Sequence, residues 1–383
     1  MNELTNVLNY TKSTLNKTEY KGTIKDEKEF YFLVRENGLT GMLFESINKD
    51  NISSKLYNNL RRDFFEYINS DNKHLLWINK LKEIFNKNEI KHIFLKGSNL
   101  KHMYPKTYMR AMGDIDVLIL EKDLNKVNTL FKSLNIKLTS KSISHHVYET
   151  LDNVNLEIHP RLYTDINKYN EFLKDPFKYS SKENELTYKF NTSYELIYLI
   201  FHLEKHIKAG GIGLRSVLDI GIFIKNNSFD EELLEHFIKL NDMELFFKSI
   251  VYLNNYLFDL KDNFNIMKDF KMDNKLLNDL TKHITIAGIH GTGRDHNPFE
   301  SRVISDSDSK FKFLMKRLFP SYREMTGFYP ILKKLPILLP FMYIIRFISV
   351  VFINFKTNLR KLIKTNKIKD TDKTKDIFKK IGL

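Results

Sequence analysis

The sequence predicts a mixed α/β (α+β) fold, in which a small mixed sheet is flanked by N-terminal and C-terminal helical regions. Three observations predict it. Apolar residues recur at helical spacing before residue 88. Short apolar runs bounded by turn residues follow, between about residues 93 and 158, as is typical of strands. Helical spacing returns from about residue 190.

The same pattern divides the 383 residues into four regions. We expect an N-terminal helical region (1–88), a strand-containing core (89–187) and a helical domain that completes a cleft (188–300). Residues 301–383 form an amphipathic segment interrupted by prolines, followed by a basic tail. A hydrophobic content of 42% is ample for a sizeable core.

The first strand is predicted at Ile93-Phe94-Leu95, directly after the helices of residues 26–88. This apolar run ends at Lys96-Gly97-Ser98, and a glycine after such a run indicates a turn. Glycine also lets the backbone approach a phosphate closely, where neighbouring amides and a serine hydroxyl can donate hydrogen bonds. A helix-length segment is expected between this turn and the next strand.

The second strand carries two carboxylates. Side chains alternate between the faces of a strand, so Asp114 and Asp116 share one face, whereas Ile115 and Val117 point to the core. Two nearby carboxylates repel each other unless a cation lies between them, and Mg²⁺ prefers such oxygens. The alternative is two exposed acids on a half-buried strand.

A β-hairpin is expected after an amphipathic helix at about residues 124–134. Its strands, residues 147–151 and 154–158, flank Asp152-Asn153, a favourable turn pair. Alternation places Glu157 and His159 on the polar face of the second strand. His145 and His146 precede the hairpin. His159 either lies near a site formed by the acids or is a hydrogen-bonded strand histidine.

Two helices are predicted from residue 192 onward, the first opened by a capping box at Thr192–Glu195. In the second, Asp219 lies among apolar residues, and Arg215 is one turn earlier and able to pair with it. Such a pair is either an internal ion pair or one aimed at a ligand. His202 and His206 have the i,i+4 spacing of a zinc site, but no glutamate at 203 completes that motif. Packing or contact with the cleft is therefore expected.

The formal charge is +14, of which the last 28 residues carry +7, with ten basic and three acidic side chains. A basic tail suits nucleic acid, an anionic membrane surface or solubility alone. The mild charge of the body argues against extensive RNA contact, and DNA is not among the predicted partners. The chain has no cysteine and no N-terminal signal-peptide pattern, so we expect a cytoplasmic protein.

The stretch Leu335–Phe355 is apolar enough to raise the question of a membrane span. Pro336 and Pro340 interrupt its start, and Arg346 would be costly at bilayer depth. We therefore expect a buried or surface-lying helix rather than a span. It either packs on the body or, together with the basic tail, contacts a membrane at its cytoplasmic face.

The order of these motifs resembles the nucleotidyltransferase superfamily of DNA polymerase β, with a Gly-Ser turn, Asp-x-Asp and a third acid. More narrowly, the chain resembles the bacterial family of uncharacterised nucleotidyltransferases from about residue 26 to 350. The residues that carry the resemblance are Leu95-Lys96-Gly97, Arg110, Gly113–Leu118, Leu156–His159, His202, His206, Arg215, Asp219, Tyr329-Pro330, Leu338–Pro340 and Arg346.

This resemblance implies a polymerase β-like catalytic core that transfers a nucleoside monophosphate from an NTP to an acceptor and releases pyrophosphate. Asp114 and Asp116 would bind two Mg²⁺ (or Mn²⁺) ions. Glu157 would bind the catalytic metal and assist deprotonation of the acceptor. The residues assigned to nucleotide binding are Lys96, Gly97, Ser98, Arg110, Arg215 and Asp219.

In this assignment Gly97 and Ser98 hold the triphosphate, and Lys96 and Arg110 neutralise its charge. Alternatively, Lys96 is a surface lysine with no role in binding. Four acceptor classes stay open: a small molecule, a sugar phosphate, a peptide or protein side chain, and an RNA 3′ end. The alternative function is a catalytically weak nucleotide-binding or membrane-peripheral scaffold.

Overall fold

The computed structural model describes residues 2–142, 144–162, 169–294, 296–298, 301, 304, 315, 319–348 and 371–383. The α-helices of this part of the chain, numbered in order, are α1 (Asn2–Asn16), α2 (Glu27–Glu36), α3 (Thr40–Leu43), α4 (Ser54–Lys87), α5 (Gly97–Leu100), α6 (Leu124–Ser133), α7 (Asn170–Leu173), α8 (Thr192–Ala209), α9 (Leu214–Lys225), α10 (Glu231–Leu240), α11 (Glu244–Phe258), α12 (Asn274–Ala287), α13 (Tyr322–Phe328), α14 (Leu339–Ile348) and α15 (Thr371–Lys380).

Seven strands form one mixed sheet in the order β3-β4-β5-β2-β1-β7-β6. The strands are β1 (His92–Phe94), β2 (Asp114–Ile119), β3 (Lys137–Lys141), β4 (His146–Glu149), β5 (Asn155–His159), β6 (Ser180–Asn184) and β7 (Thr187–Phe190). β2 runs parallel to β5, and β1 runs parallel to β7. The predicted mixed α/β fold is therefore confirmed, with helical regions on either side of the sheet in the sequence.

The two faces of β2 contact different parts of the core. Ile115 and Val117 pack with residues of α4 and α6, such as Phe85 and Phe131. Leu118, on the opposite face, belongs to a larger cluster that includes residues of α8 and α9. Asp114 and Asp116 share the face of Leu118, so the sheet directs both carboxylates toward the helices that follow it in sequence.

The larger cluster joins the helices that precede the sheet to those that follow it. Phe30 and Val34 of α2 lie in the same cluster as Leu214 of α9 and Phe246 of α11. Burial of these side chains is the main favourable contribution that holds the helical regions together. The division of the chain at residues 88, 187 and 300 stays a prediction.

Two local expectations need correction, and one hairpin was missed. The segment before β2 is not one helix, because α5 is followed by 3-10 turns at Lys101–Met103 and Thr107–Met109. The helix α8 is capped by Asn191, whose side chain accepts from the amides of Ser193 and Tyr194, and not by a capping box. The hairpin β6–β7 was not predicted, since its short, polar first strand lacks the apolar alternation of a half-buried strand.

The predicted hairpin β4–β5 is present, with a longer connection than expected. The Asn153 amide donates to the Thr150 carbonyl, and Asn153 has a φ of +58°. Asparagine tolerates this left-handed conformation better than most residues. The turn therefore begins at Thr150, and Glu149 is the last residue of β4 to pair with β5.

The C-terminal region divides into two parts. Helix α15 packs on α12, with Ile377 and Phe378 buried and Lys373 bonded to Asp279 at 2.7 Å. Helix α14 contains no buried residue, so of the expected buried and surface-lying helices the surface-lying one fits residues 339–348. Whether this helix packs on the body or contacts a membrane stays a prediction. The rest of the predicted stretch, 349–355, lies outside the described residues. In the part of the chain that the structure describes, no helix has the length and apolarity needed to cross a bilayer.

Candidate active site

The register between β2 and β5 brings the predicted acids together. Asp116 lies directly opposite Glu157, and Asp114 lies opposite Asn155. Opposite residues on neighbouring strands have side chains on the same face of the sheet. The expectation that Glu157 shares a face with Asp114 and Asp116 is therefore consistent with this register.

Two basic side chains contact the carboxylate of Asp116. The Lys96 Nζ atom lies 2.7 Å from Asp116 Oδ1, and the His159 Nε2 atom lies 2.9 Å from the same oxygen. Burial by itself raises the pKa of Asp116, but Lys96 and His159 outweigh it and hold this pKa well below its usual range. Asp116 is therefore a fixed negative charge at the base of the site.

His159 connects Asp116 to Glu157, because its Nε2 atom also lies 3.6 Å from Glu157 Oε2. Burial lowers the pKa of His159, but its contacts with Asp116 and Glu157 outweigh this effect and raise it. The contact with His159 in turn lowers the pKa of Glu157. Asp114 behaves differently: burial and the charges of Asp116 and Glu157 raise its pKa to about 6.

Lys96 has a strained backbone, with φ +49° and ψ −117°. A non-glycine residue in this region costs about 1–3 kcal/mol, and such strain is concentrated at functional sites. The hydrogen bond from the Leu95 amide to the Asp116 carbonyl fixes the chain just before the turn. The turn thereby delivers the Lys96 ammonium to the face of β2 that carries the acids, so it is not a surface lysine.

Gly97 makes room for Arg110. A Cβ atom built on Gly97 would lie 2.1 Å from Arg110 Nη1, so no other residue fits here without displacing the guanidinium. Arg110 donates to both oxygens of Asp219, at 3.2 and 2.9 Å, and the Tyr104 hydroxyl donates to Asp219 Oδ1 at 2.7 Å. The segment before β2 is thus tied to helix α9.

The predicted pairing of Arg215 with Asp219 is wrong. Arg215 Nη1 donates to the Ala111 carbonyl at 2.7 Å, and Arg110 takes the carboxylate instead. The i,i+4 spacing makes the pair within the helix sterically accessible, but a bidentate guanidinium from another segment binds a buried carboxylate more strongly. Asp219 and Arg215 nevertheless face the same cavity.

That cavity has a volume of about 290 Å³ and lies between the sheet, the Lys96–Gly113 segment and helices α8 and α9. Eight of the nine predicted site residues line it, namely Lys96, Gly97, Arg110, Asp114, Asp116, Glu157, Arg215 and Asp219. Ser98 is the exception. It is buried, and its hydroxyl has no hydrogen-bond partner among the described residues.

A model of a family described as uncharacterised nucleotidyltransferase matches residues 24–259, well over half of the chain. The chain belongs to this nucleotidyltransferase family.

Two further comparisons give less information about this chain. The solution structure of antibiotic-resistance factor ANT(2'')-Ia is similar to 44% of this nucleotidyltransferase and to 90% of its own chain, with 11% sequence identity and a TM-score of 0.35. A likeness of that level carries no inference for this chain. No curated protein matches the sequence.

The nucleotidyltransferase has one close group of possible cation ligands among its described residues. It consists of Asp116, Glu157 and His159, whose ligand atoms lie within 4.8 Å of one another. Asp114 lines the same cavity but is not part of this close group. His159 therefore lies in the site, which confirms the expectation that it is near the acids.

His202 and His206 also line the cavity of the nucleotidyltransferase, and their Nε2 atoms lie 3.0 Å apart. Burial, followed by the charge of Lys96, holds the pKa of His202 well below its usual range. The expectation of cleft contact for these two residues is confirmed. Neither belongs to the close group of possible cation ligands.

Sequence reasoning missed two side chains of the site. Lys205 lines the cavity and follows His202 by three residues, a spacing that places both on one side of a helix. This spacing could have indicated from the sequence that Lys205 lies near His202. Tyr104, which donates to Asp219, lies in a 3-10 segment with no periodic pattern, so nothing in the sequence indicated its role.

Proposed function

We propose that this nucleotidyltransferase moves a nucleoside monophosphate from an NTP to an acceptor hydroxyl and releases pyrophosphate. The observation that carries the proposal is the register that sets Asp116 against Glu157 in a cavity whose wall also includes the cations Lys96, Arg110 and Arg215. Acidic groups for a cation and basic groups for phosphates are the two requirements of phosphoryl-type transfer.

The donor set fits a divalent cation of the Mg²⁺ or Mn²⁺ type. Carboxylate oxygens of Asp114, Asp116 and Glu157 face one cavity, and hard cations prefer such ligands. Without a cation, the buried charge of Asp116 is balanced by Lys96 and His159. When bound, two such ions would supply charge neutralisation at the α-phosphate and at the leaving pyrophosphate.

The reaction forms a bond between the acceptor oxygen and the α-phosphorus and breaks the bond from that phosphorus to the oxygen bridging the β-phosphorus. Glu157 receives the proton of the acceptor hydroxyl. His159, in contact with Glu157, orients this carboxylate. Lys96 and Arg110 neutralise the triphosphate, with Gly97 leaving the space in which Arg110 lies.

The acceptor classes that fit this chemistry are a small molecule, a sugar phosphate, a peptide or protein side chain and an RNA 3′ end. Each can present a hydroxyl nucleophile to the α-phosphate. The cavity of about 290 Å³ sets the space available to the reactive end of the acceptor.

The test is pyrophosphate release by the full chain with each NTP, Mg²⁺ or Mn²⁺, and a panel of the four acceptor classes. Asp116→Asn should abolish the release, because it removes the fixed charge at the base of the site. The matched control is Asp50→Asn, an exposed acid in a short 3-10 helix before α4. It should retain wild-type release.

Identical profiles for wild type and Asp116→Asn across the panel would contradict the enzyme proposal. That result would favour the catalytically weak nucleotide-binding scaffold. Equilibrium binding of a non-hydrolysable Mg-NTP analogue then distinguishes the two, since a scaffold should still bind the nucleotide.

A further inference from the structure

Exposed apolar side chains are concentrated in one short part of the molecule, residues 319–348, here termed the C-terminal apolar segment. Eleven of the nineteen large exposed apolar side chains of the described residues lie in it. Ile337 is 82% exposed and Phe341 is 62% exposed. A contiguous group of this kind marks an interaction surface, whereas isolated exposed apolar residues do not.

The C-terminal apolar segment has its own internal structure. The Tyr322 hydroxyl donates to the Leu332 carbonyl at 2.8 Å, and the Arg346 guanidinium lies 4.5 Å from the centre of the Phe328 ring. Met325 and Leu332 are buried. These contacts give the segment a defined structure, with α14 on its surface. The exposed side chains therefore belong to a folded part of the chain.

The charge of the segment is positive. It contains four basic residues, Arg323, Lys333, Lys334 and Arg346, and one acidic residue, Glu324. Glu324 is engaged in the capping box that starts α13. Residues 349–383 add ten basic and three acidic side chains, a further +7. The apolar surface thus lies within the most basic part of the sequence.

We propose that the C-terminal apolar segment binds the surface of an anionic phospholipid bilayer. Its exposed apolar side chains would enter the boundary between headgroups and acyl chains, and its lysines would contact the anionic headgroups. Apolar insertion and basic attraction together are what interfacial helices require for stable attachment. This inference goes beyond nucleotidyl transfer and does not depend on it.

Charge argues against a second copy of the chain as the partner. A copy would bring the same positive segment to the interface, and like charges repel at close range. Lysine is also depleted in protein–protein interfaces. An anionic bilayer has negatively charged headgroups for the basic residues. It also has an apolar layer beneath them for the exposed apolar side chains.

The experiment is co-sedimentation of the full chain with vesicles of phosphatidylcholine alone, and of phosphatidylcholine and phosphatidylglycerol in equal parts. We expect binding to the anionic vesicles. Ile337→Ser with Phe341→Ser should weaken it about tenfold, equivalent to about 1.4 kcal/mol. Both side chains are exposed, so the variant should fold. The apolar control is Leu151→Ser, which removes a 79% exposed side chain elsewhere.

A second variant tests the charge. Lys333→Gln with Lys334→Gln should also weaken binding to anionic vesicles about tenfold, since each lysine near such a surface contributes to attraction. Lys261→Gln with Lys268→Gln removes two exposed lysines of another region and should bind as wild type does. Equal binding by all variants, or no binding by wild type, would overturn the proposal. Sedimentation equilibrium showing a dimer that Ile337→Ser with Phe341→Ser dissociates would assign the surface to a second copy.

Discussion

Asp116 lies directly opposite Glu157 on parallel strands, and the His159 Nε2 atom lies 2.9 Å from the first carboxylate and 3.6 Å from the second. One imidazole thus contacts the two acids that would hold a cation and receive a proton. Lys96 completes the balance of charge around Asp116. The site is therefore electrostatically organised before any substrate enters it.

His159→Gln should lower kcat for pyrophosphate release by about 10- to 100-fold, as replacing a group that orients a site carboxylate generally does. The physical reason is that Glu157 loses the contact that fixes its carboxylate. Steady-state kinetics at saturating NTP and metal measures the effect. His236→Gln, an exposed histidine on α10, is the control. An unchanged kcat would remove His159 from the mechanism.

Gly97→Ala should lower kcat/KM for the NTP by about 100-fold, because the added methyl group displaces Arg110 and such a misplacement is costly in a positioned site. Gly113→Ala is the matched control, since a Cβ atom at Gly113 meets nothing within 4 Å although Gly113 lines the same cavity. In an Arg110→Ala background the effect of Gly97→Ala should shrink. An equal loss in both backgrounds would contradict the steric account.

We expect the ion pair between Arg110 and Asp219, in the cavity wall, to contribute strongly to the free energy of unfolding. Asp219→Leu leaves Arg110 buried and unpaired, so it should lower the free energy of unfolding by about 3–5 kcal/mol. A double-mutant cycle with Arg110→Met, followed by urea unfolding, should give a coupling of about 1–3 kcal/mol. The same cycle between Asp219→Leu and Arg215→Met should give a smaller coupling. Equal couplings would restore the pairing expected from the sequence.

Glu195 is buried in α8 with Asn99 as a hydrogen-bond donor at 3.4 Å, and burial raises the pKa of this carboxyl to about 7. The folded protein therefore binds the proton more tightly than the unfolded chain, and stability falls as the pH rises toward 7. Glu195→Gln removes this cost. It should increase the free energy of unfolding by about 1–3 kcal/mol at pH 8 and change it little at pH 5.

Urea unfolding at the two pH values measures the effect of Glu195→Gln. Glu183→Gln, an exposed acid on β6, is the control and should change stability little at either pH. A gain from Glu195→Gln that is the same at pH 5 and pH 8 would show that Glu195 is ionised in the folded protein at both.

Local alternation predicted the arrangement of the acids well. The period of a strand is two, so Asp114 and Asp116 could be assigned to one face, and Glu157 to the polar face of its strand, from residue spacing alone. The parallel pairing of β2 with β5 adds the register that sets Asp116 opposite Glu157. Strand register depends on tertiary packing, which no single segment specifies.

The wrong pairing of Arg215 with Asp219 has a physical cause. Arg215 was paired with Asp219 because they are neighbours on one helix, whereas the partner is Arg110, more than a hundred residues away in sequence. Ser98 was assigned to the triphosphate together with Gly97. Its hydroxyl is buried and Ser98 does not line the cavity, so this assignment stays a prediction. Sequence proximity predicts local geometry and fails where a distant segment supplies the stronger contact.

Labels at the two ends of the triphosphate show directly whether a nucleoside monophosphate is transferred. The full chain is incubated with an acceptor panel, Mg²⁺ and NTP labelled at either the α- or the γ-phosphate. Nucleotidyl transfer predicts that the α-label moves to the acceptor while the γ-label leaves as pyrophosphate, and that Asp116→Asn stops both. Release of the γ-label as orthophosphate, or its transfer to the acceptor, would contradict the account.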